Sequence, residues 1–348
     1  MQEIRIQDKI IGKGRPTFII AEAGINHNGS LYQAKKLVDI AYKACVDAVK
    51  FQTYKAEKLV TSKLEPPNYA VQNIGKKISQ YKMLKSYELN YNDFIKLKQY
   101  CDKKGIIFLS TPHSYDAIDF LDELVPAYKF GSGDLTNIPA LIHAAKKGKP
   151  IILGTGMSNL SEIKKAIKQI RSQGNNQIIA LHCTTSYPCK YKEVNLRAMV
   201  TMNNELDCII GFSDHSVGTL ASVIAVSLGA LVIEKHFTLD KSLQGPDHKA
   251  SLDANELNLI VKQIRNVEKI LGSNQKKPTK QEKRIMKNVR KSITTVQEIK
   301  RGSFLNDEMI LIRRPGTGLS PDYFYEVIGK KAKIDMKKDH ILQIDDIE

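Results

Sequence analysis

Two histidines stand at the ends of consecutive strand-like runs of the sequence. His215 lies in GFSDHS and His236 in EKHFT. Imidazole is the commonest protein ligand for Mn, Zn or Fe, although a single histidine is more often a hydrogen-bonded core or rim residue. The paired placement predicts a metal site. Because only two protein ligands are apparent, the metal would keep open positions for water and substrate, which suits polarisation of a carbonyl.

Two lysines are placed where an anion can bind. Lys50 lies in the second strand-like run and Lys129 in the fourth. An unpaired ammonium that points inward is costly, and a bound anion would offset that cost. An ion pair of Lys50 with Glu22 or Glu234 is the structural alternative. The hydroxyls that can donate to phosphate or carboxylate oxygens are those of Thr111, Ser132, Thr185 and Ser213.

A further set of polar side chains suits a sugar, because carboxylates and amides with two hydrogen-bonding positions match vicinal hydroxyls. Asp247 lies in LQGPDHKAS, a Gly-Pro turn from which it can reach back over the other residues, and the adjacent His248 can equally be a plain loop histidine. GSG (131–133) and GTG (154–156) do not continue into a nucleotide-binding motif. The residues of this set are Glu22, Asn26, Gln52, Tyr187 and Asp247.

Short β-branched runs that alternate with helical stretches must position these residues. Apolar strands separated by helices are typical of parallel β/α units, and eight units in about 250 residues are the size of a closed (β/α)8 barrel. The insertion from Leu59 to Leu89 lengthens the second connection. The runs are TFIIAEAG (17–24), DAVKFQT (47–53), GIIFLSTP (105–112), AYKFGSGD (127–134), PIILGTG (150–156), QIIALHCTTSYP (177–188), CIIGFSDH (208–215) and ALVIEKHF (230–237).

The carboxyl ends of these eight runs carry the polar residues named above. In a barrel, all such ends open on one face, and active sites are built there. Strand capping explains any single polar end. Polar ends on all eight runs predict an enzyme whose residues converge on one mouth.

The composition suits one large domain plus a small one and limits the kinds of partner. The chain has 348 residues, of which 42% are hydrophobic, and a net charge of +16 from 53 Lys and Arg against 37 Asp and Glu. Nucleic acid, a membrane surface and a small anionic substrate are all compatible with such a charge. The lysines are scattered and no nucleic-acid-binding motif occurs, so exposed lysines without a particular target are the simplest explanation.

Cysteine usage and hydropathy indicate a cytoplasmic protein. The five cysteines are odd in number and form no CxxC pair, which fits free thiols in a reducing compartment. The N-terminus has no apolar signal segment, and no run reaches the roughly 18 apolar residues of a membrane span.

The amino-acid composition of the sequence changes near Gly272. Residues 272–288 are polar and basic and predict a linker that runs into a short exposed helix. Residues 289–348 hold short alternating runs with Gly and Pro turns and predict a small, mostly β domain. The catalytic barrel is therefore expected over residues 1–271.

The motifs together resemble the sialic acid synthase family, which includes N-acetylneuraminate, legionaminate and pseudaminate synthases. The resemblance covers nearly the whole chain, and the last 60 or so residues resemble the antifreeze-protein-like SAF domain of that family. It rests on AEAGINHNG, VKFQT, STP, YKFGSGDLTN, GTGM, LHCTTSYP, VNLRAM, GFSDH, EKHFTLDK, GPDHKASL and RRPGTGLSP.

The resemblance implies roles for individual residues. His215 and His236 match a metal-binding pair, usually for Mn2+. Arg314 matches an arginine that a second subunit delivers onto the N-acyl group, which implies a domain-swapped homodimer. The positions that match phosphoenolpyruvate binding are Lys50, Thr111, Lys129, Ser132, Thr185 and Ser213, and those that match the open-chain sugar are Glu22, Gln52, Tyr187 and Asp247.

Several residues depart from the family pattern and bear on the choice of sugar. Asp134 stands where bacterial members commonly have Glu, and His113 follows STP where Phe is usual. Thr185, Ser186 and Gly154 also differ from residues that are frequent in the family. GSGD and GPDHKAS differ from the pattern expected of pseudaminate synthases.

The resemblance therefore predicts an N-acetylneuraminate synthase that condenses phosphoenolpyruvate with open-chain N-acetylmannosamine, with Lys50 and one of the carboxylates of Glu22 and Glu234 taking part in the chemistry. An N,N'-diacetyllegionaminate synthase, which would use 2,4-diacetamido-2,4,6-trideoxymannose, is the alternative enzyme. A carbohydrate-binding barrel without activity is the alternative from another class.

Overall fold

The computed structural model describes residues 3–67, 70, 71, 73 and 78–348. The chain divides into two compact units, Met1–Gly272 and Ser273–Glu348. The predicted insertion from Leu59 to Leu89 lies partly outside the described residues, at positions 68, 69, 72 and 74–77. None of the described helices is both long and apolar enough to cross a membrane.

The described part of the first unit is built around a parallel sheet of eight strands that forms a barrel. Strands β3 to β10 pair in parallel in the order β5-β4-β3-β10-β9-β8-β7-β6, so that the first strand of the sheet pairs with the last, and β5 and β6 lie next to each other at the seam. All eight predicted runs form these strands, which confirms the predicted barrel. The strands are β1 (Ile4–Ile6), β2 (Lys9–Ile11), β3 (Phe18–Gly24), β4 (Ala48–Thr53), β5 (Ile107–Pro112), β6 (Tyr128–Phe130), β7 (Ile151–Gly154), β8 (Ile178–His182), β9 (Ile209–Asp214) and β10 (Val232–His236).

Two apolar layers hold the barrel together, because successive side chains of a strand point to opposite faces. On β3, Ile19 and Ala21 belong to the large cluster under the helices, whereas Phe18 and Ile20 belong to the smaller cluster inside the barrel. The antiparallel hairpin of β1 and β2 adds Ile4, Ile6 and Ile11 to that inner cluster. The hairpin therefore packs with the amino ends of the strands and leaves the carboxyl ends open.

The helices cover the outside of the sheet, and several begin at a side-chain cap. Asn159 and Glu162 form a capping box at one helix, and Asp253 and Glu256 form another. The helices of the first unit are α1 (Leu31–Lys43), α2 (Ala56–Leu59), α3 (Gln80–Tyr87), α4 (Tyr91–Lys104), α5 (Tyr115–Asp122), α6 (Ile138–Ala145), α7 (Leu160–Arg171), α8 (Tyr191–Val194), α9 (Arg197–Glu205), α10 (Leu220–Ser227) and α11 (Ala254–Leu271).

The second unit contains one exposed helix and a small β structure. Helix α12 (Lys280–Val289) begins at a capping box of Thr279 and Glu282 and has no buried residue. Strands β11 (Ser292–Thr295) and β12 (Ile310–Arg313) pair antiparallel, further isolated bridges follow, and α13 (Phe324–Val327) is a single turn. Its own apolar cluster includes Ile293, Leu305, Val327 and Met336. The predicted small β domain is confirmed.

Candidate active site

The carboxyl ends of the barrel strands surround a cavity of about 280 Å³. The alternation of strand residues turns every second side chain inward, so residues distant in sequence meet here. Arg314 belongs to the second unit and is exposed. The predicted site residues that line the cavity are Glu22, Lys50, Gln52, Thr111, Lys129, Ser132, Thr185, Tyr187, Ser213, His215, Glu234, His236 and Asp247.

Lys50 lies at the centre of a buried charge cluster. Its Nζ is 2.8 Å from Glu22 Oε2 and 3.6 Å from Glu234 Oε2, and it donates to Thr111 Oγ1 at 3.1 Å. Lys129 Nζ lies 3.3 Å from Glu234 Oε1. The premise of an unpaired inward lysine is therefore wrong for both residues. Each ammonium is already compensated by a carboxylate, and the structural alternative for Lys50 is present.

The two carboxylates of this cluster differ in how readily they ionise. Burial raises the pKa of Glu22, and the nearby charge of Glu234 adds to that effect, while Lys50 opposes it only in part. Burial also disfavours the ionised form of Glu234, but Lys129 and Lys50 outweigh it and hold the pKa at about 2. The cavity thus contains one carboxylate that stays charged and one that takes up a proton more readily than an ordinary glutamate.

His215 is oriented so that one nitrogen is available to a ligand. Its Nδ1 lies 2.8 Å from the carbonyl oxygen of Thr184, and because a carbonyl only accepts, Nδ1 carries the proton. Nε2 then holds the lone pair and faces the cavity, 3.2 Å from Tyr187 Oη. A hydrogen bond to the second ring nitrogen is the usual way in which a protein orients a metal-binding histidine.

His236 completes the pair, with its ring centroid 5.6 Å from that of His215. Its Nδ1 is buried and has no hydrogen-bond partner among the described residues. Burial lowers the pKa of both histidines, so both rings are neutral and can bind a metal. The residues present therefore fit a divalent metal, with two nitrogen ligands from the chain. Within the described residues, no group of three or more His, Cys, Asp or Glu is suited to a metal.

Two of the hydroxyl donors, those of Ser132 and Thr185, lie beside Gly156 of the GTG motif. Gly156 donates its N–H to Ser132 Oγ at 3.0 Å. A Cβ at Gly156 would lie 2.3 Å from Thr185 Oγ1 and 2.9 Å from Ser132 Oγ. This glycine therefore gives the two hydroxyls their room, a role that the sequence motif did not reveal. Cys183, 3.1 Å from Ser132 Oγ, also lines the cavity and was not predicted.

Asp247 reaches the cavity on the loop that follows β10. Its carboxyl is buried, and burial together with the negative charge of Glu22 raises its pKa to about 7. The neighbouring His248 donates from Nε2 to Asn28 Oδ1 at 3.1 Å, and its Nδ1 accepts from Thr238 Oγ1 at 2.6 Å, so it holds the loop in place. Asn26 donates to the Phe237 carbonyl and does not line the cavity. Its predicted contact with a sugar is therefore wrong.

One wall of the cavity is apolar, and the sequence patterns did not predict it. It consists of Ile25 at the end of β3, Pro67, and Met83 and Leu84 of α3. Ile25, Met83 and Leu84 belong to one apolar cluster with Tyr54. His113 also lines the cavity, and its Nδ1 lies 3.5 Å from Asp134 Oδ2.

Comparison with known proteins identifies the family. The NeuB family model matches residues 37–276, and the SAF domain model matches residues 290–348. The chain belongs to the NeuB family. The N,N'-diacetyllegionaminic acid synthase of Legionella pneumophila is 42% identical over 342 residues, which are 97% of this chain and 96% of that protein. The resemblance to sialic acid synthases and the prediction of an enzyme are thereby confirmed.

Two further relatives are named for other products. Human N-acetylneuraminate-9-phosphate synthase is 36% identical over 337 residues, which are 94% of this chain and 92% of that protein. The crystal structure of N-acetylneuraminic acid synthetase from Leptospira borgpetersenii superposes with a TM-score of 0.73 at 35% identity, and covers 81% of this chain and 94% of that one. The NeuB family therefore fixes the type of enzyme more closely than it fixes the sugar.

Proposed function

We propose that this NeuB protein condenses phosphoenolpyruvate with the open-chain aldehyde of an N-acylated amino hexose and releases phosphate. The observation that carries the proposal is the joint presence of two lysines, two unlike carboxylates and two neutral imidazoles around one cavity. Such a set can hold an anion beside a polarised carbonyl.

Binding of the anion follows from the charges of the cluster. Lys50 and Lys129 are positive and Glu234 is ionised, and burial raises the pKa of Glu22, so this carboxyl takes up a proton more readily than an ordinary glutamate. With a proton on Glu22, the cluster has an excess of positive charge in a water-poor site, where electrostatic stabilisation is strong. Ser132, Thr185, Thr111 and Ser213 line the same cavity and can donate to phosphate or carboxylate oxygens.

A divalent metal, for which we propose Mn2+, would be held by His215 and His236. Bound there, it supplies Lewis-acid polarisation of the sugar aldehyde. The Thr184 carbonyl holds the proton on His215 Nδ1 and so leaves the lone pair on Nε2, and Tyr187 Oη lies 3.2 Å from Nε2.

The chain's own residues account for the proton transfers. As C3 of phosphoenolpyruvate bonds to the aldehyde carbon, protonated Glu22 gives its proton to the aldehyde oxygen, and ionised Glu234 stabilises the positive charge that develops at C2. Water then adds to C2 and gives one proton to the Glu22 carboxylate. Cleavage of the C–O bond expels phosphate with the second proton and leaves the ketone. A raised pKa suits a carboxyl that first donates a proton and then accepts one.

For the sugar, we propose 2,4-diacetamido-2,4,6-trideoxymannose, which gives a legionaminate-type product. The apolar wall of Ile25, Met83 and Leu84 suits the methyl groups of the two acetamido substituents and of C6. The 42% identity to the Legionella enzyme supports this choice. N-acetylmannosamine, the first expectation from the sequence, stays the second candidate because the Leptospira structure is named for N-acetylneuraminic acid.

One assay separates the candidates. Phosphate release from phosphoenolpyruvate is measured with each sugar offered separately, with and without Mn2+. We expect release that depends on Mn2+ and on the diacetamido sugar. Turnover of N-acetylmannosamine alone would select the second candidate, and the absence of release with either sugar would overturn the proposed reaction.

We also propose that the active form is a homodimer in which the second unit of each copy completes the site of the other. The exposure of Arg314 on that unit supports this arrangement. If it is right, a mixture of inactive Arg314→Ala and inactive His236→Ala chains, refolded together, regains activity, because mixed dimers contain one intact site. Recovery no greater than the sum of the separate variants would contradict the arrangement.

A further inference from the structure

A fully buried ion pair lies behind the two histidines, on the side of the barrel wall that faces the helices. Lys235 Nζ is 3.0 Å from Asp214 Oδ2, and the side chains are 1% and 0% exposed. The two residues are register partners on the neighbouring strands β10 and β9. Neither lines the cavity, so neither touches a substrate there.

The carboxylate of Asp214 is saturated with donors. Its Oδ1 accepts from the Ser216 N–H at 2.8 Å and from Ser216 Oγ at 2.7 Å. Its Oδ2 accepts from Ser222 Oγ of α10 at 2.7 Å as well as from Lys235. Lys235 also donates to the Ser216 carbonyl. This set of contacts, which we name the Asp214 knot, joins β9, β10, α10 and the segment after β9.

The strand alternation connects the Asp214 knot to the metal site. Phe212 and Ile233, two residues before Asp214 and Lys235, belong to the apolar layer under the helices, so this side of both strands faces outward. The residues that directly follow Asp214 and Lys235 are His215, just after the end of β9, and His236, the last residue of β10, and both line the cavity on the other side. One ion pair therefore joins the residues that directly precede the two candidate ligands.

The remaining contacts of the two histidines hold their other sides. The carbonyl of His215 accepts from the Cys189 N–H at 2.8 Å, and the carbonyl of His236 accepts from the Leu252 N–H at 2.9 Å. Thr184 holds the ring of His215. These contacts fix each histidine singly. The Asp214–Lys235 pair joins their direct neighbours across the two strands, in addition to the β9–β10 backbone pairing and the hydrogen bond from Ser213 to Glu234.

We propose that Asp214 and Lys235 are positioning residues that set the separation of His215 and His236 and thereby the affinity for the metal. This inference rests on the proposed metal site. Ligand distances in metal sites are held within about 0.2 Å, so a small relative shift of β9 and β10 weakens binding by both imidazoles. Loss of a residue that orients a ligand typically lowers metal affinity about 10–100-fold.

The test uses the double variant Asp214→Asn/Lys235→Met. It removes both charges and keeps similar volumes, a kind of replacement that buried ion pairs often tolerate. Mn2+ affinity of the full chain is measured without substrates, by the electron paramagnetic resonance signal of free Mn2+ and by calorimetry. We expect the Kd to rise about 10–100-fold. We also expect excess Mn2+ to restore kcat with little change in KM for phosphoenolpyruvate.

A matched control separates positioning from general stability. Asp47 and Arg265 form another ion pair at the barrel surface, with 3.4 Å between Oδ2 and Nη2, and Asp47 also accepts from the Ile19 N–H. The variant Asp47→Asn/Arg265→Met is expected to lower the melting temperature and to leave the Mn2+ Kd unchanged. An unchanged Kd in the folded Asp214→Asn/Lys235→Met variant would overturn the inference, as would an equal rise in the control.

A milder variant covers the case in which the double variant does not fold. Ser222→Ala removes one donor from Asp214 without changing a charge. We expect a smaller rise of the Mn2+ Kd in the same direction, and an unchanged Kd would count against the inference. Wild-type protein that binds no Mn2+ would instead contradict the proposed metal site itself, so the two failures are distinguishable.

Discussion

Lys50 Nζ lies 2.8 Å from Glu22 Oε2, and both side chains are almost completely buried. The pair joins two neighbouring strands, because Glu22 and Lys50 are register partners on β3 and β4. Glu234 on β10 approaches the same ammonium from the other side of β3. A single cation thus stands between the two carboxylates to which the proposed mechanism assigns different roles.

Replacement of Lys50 by methionine tests this relationship. The variant leaves Glu22 and Glu234 close together, with Lys129 as their remaining cation. We expect kcat/KM for phosphoenolpyruvate to fall about 10²–10³-fold, as for the loss of one pre-placed electrostatic contact. Steady-state kinetics provides the measurement. Lys104→Met, which removes a half-buried lysine paired with Asp39 away from the cavity, is the control. Near-wild-type kcat/KM in Lys50→Met would contradict the assignment.

Replacement of His236 by alanine tests the metal ligands. The variant removes one of two proposed nitrogen ligands, so we expect Mn2+ affinity to fall by more than the about 10–100-fold typical of residues that only orient a ligand. Calorimetric titration with Mn2+ measures the change. His143→Ala serves for comparison, because His143 is paired with Asp119 on α5, away from the cavity. Full metal-dependent activity in His236→Ala would refute the ligand assignment.

Substitution of Gly156 by alanine tests the region of the hydroxyl donors. The added Cβ would meet Thr185 Oγ1 at 2.3 Å, so one of the two side chains must move. We expect a raised KM for phosphoenolpyruvate and a smaller change in kcat. Gly133→Ala is a matched control from the neighbouring glycine motif, since a Cβ there meets nothing within 4 Å. Equal KM values for the two variants would contradict the assignment of the Ser132 and Thr185 hydroxyls to the anion site.

The raised pKa of Asp247 predicts a pH dependence of stability. Burial, and then the charge of Glu22, bring this pKa to about 7 in the folded protein, from an ordinary value of 3.8. Between these two values the folded state binds a proton that the unfolded state has lost. The contribution of Asp247 to stability is therefore fully present below about pH 4 and is lost as the pH rises through 7. The loss is at most about 4 kcal/mol.

Chemical unfolding of the wild type and of Asp247→Asn at several pH values between 4 and 8 measures this contribution. The asparagine cannot ionise, so the variant should lose less stability than the wild type as the pH rises. Parallel curves for the two proteins would show that the carboxyl ionises in the folded state as it does in the unfolded one.

The barrel and much of its mouth could be predicted because strand signals are local. Eight β-branched runs define eight strands, and the parallel arrangement brings all their carboxyl ends to one face. The sequence alone therefore predicts that four residues come together at the mouth of the barrel, although it gives no distances between them. They are Glu22, Lys50, His215 and His236. The family motifs add Tyr187 and Asp247 on the loops, and both line the cavity.

Other parts of the site depend on the folded chain. The apolar wall comes from Met83 and Leu84 on α3, whose position over the mouth depends on packing with Ile25 and Tyr54. The spacing of apolar residues in the sequence does not predict this contact between α3 and the end of β3. The role of Gly156 is likewise visible only from its distance to Thr185.

What the sequence by itself determined was which side chains face the mouth, because alternation along a strand is a property of the local backbone. Only the tertiary structure decided which charges pair. From the sequence, Lys50 could face a bound anion or pair with Glu22 or Glu234, and the structure places it beside both carboxylates and Lys129 beside Glu234. A charge's partner and its pKa follow from through-space distance and burial, which strands far apart in sequence acquire only when the barrel has formed.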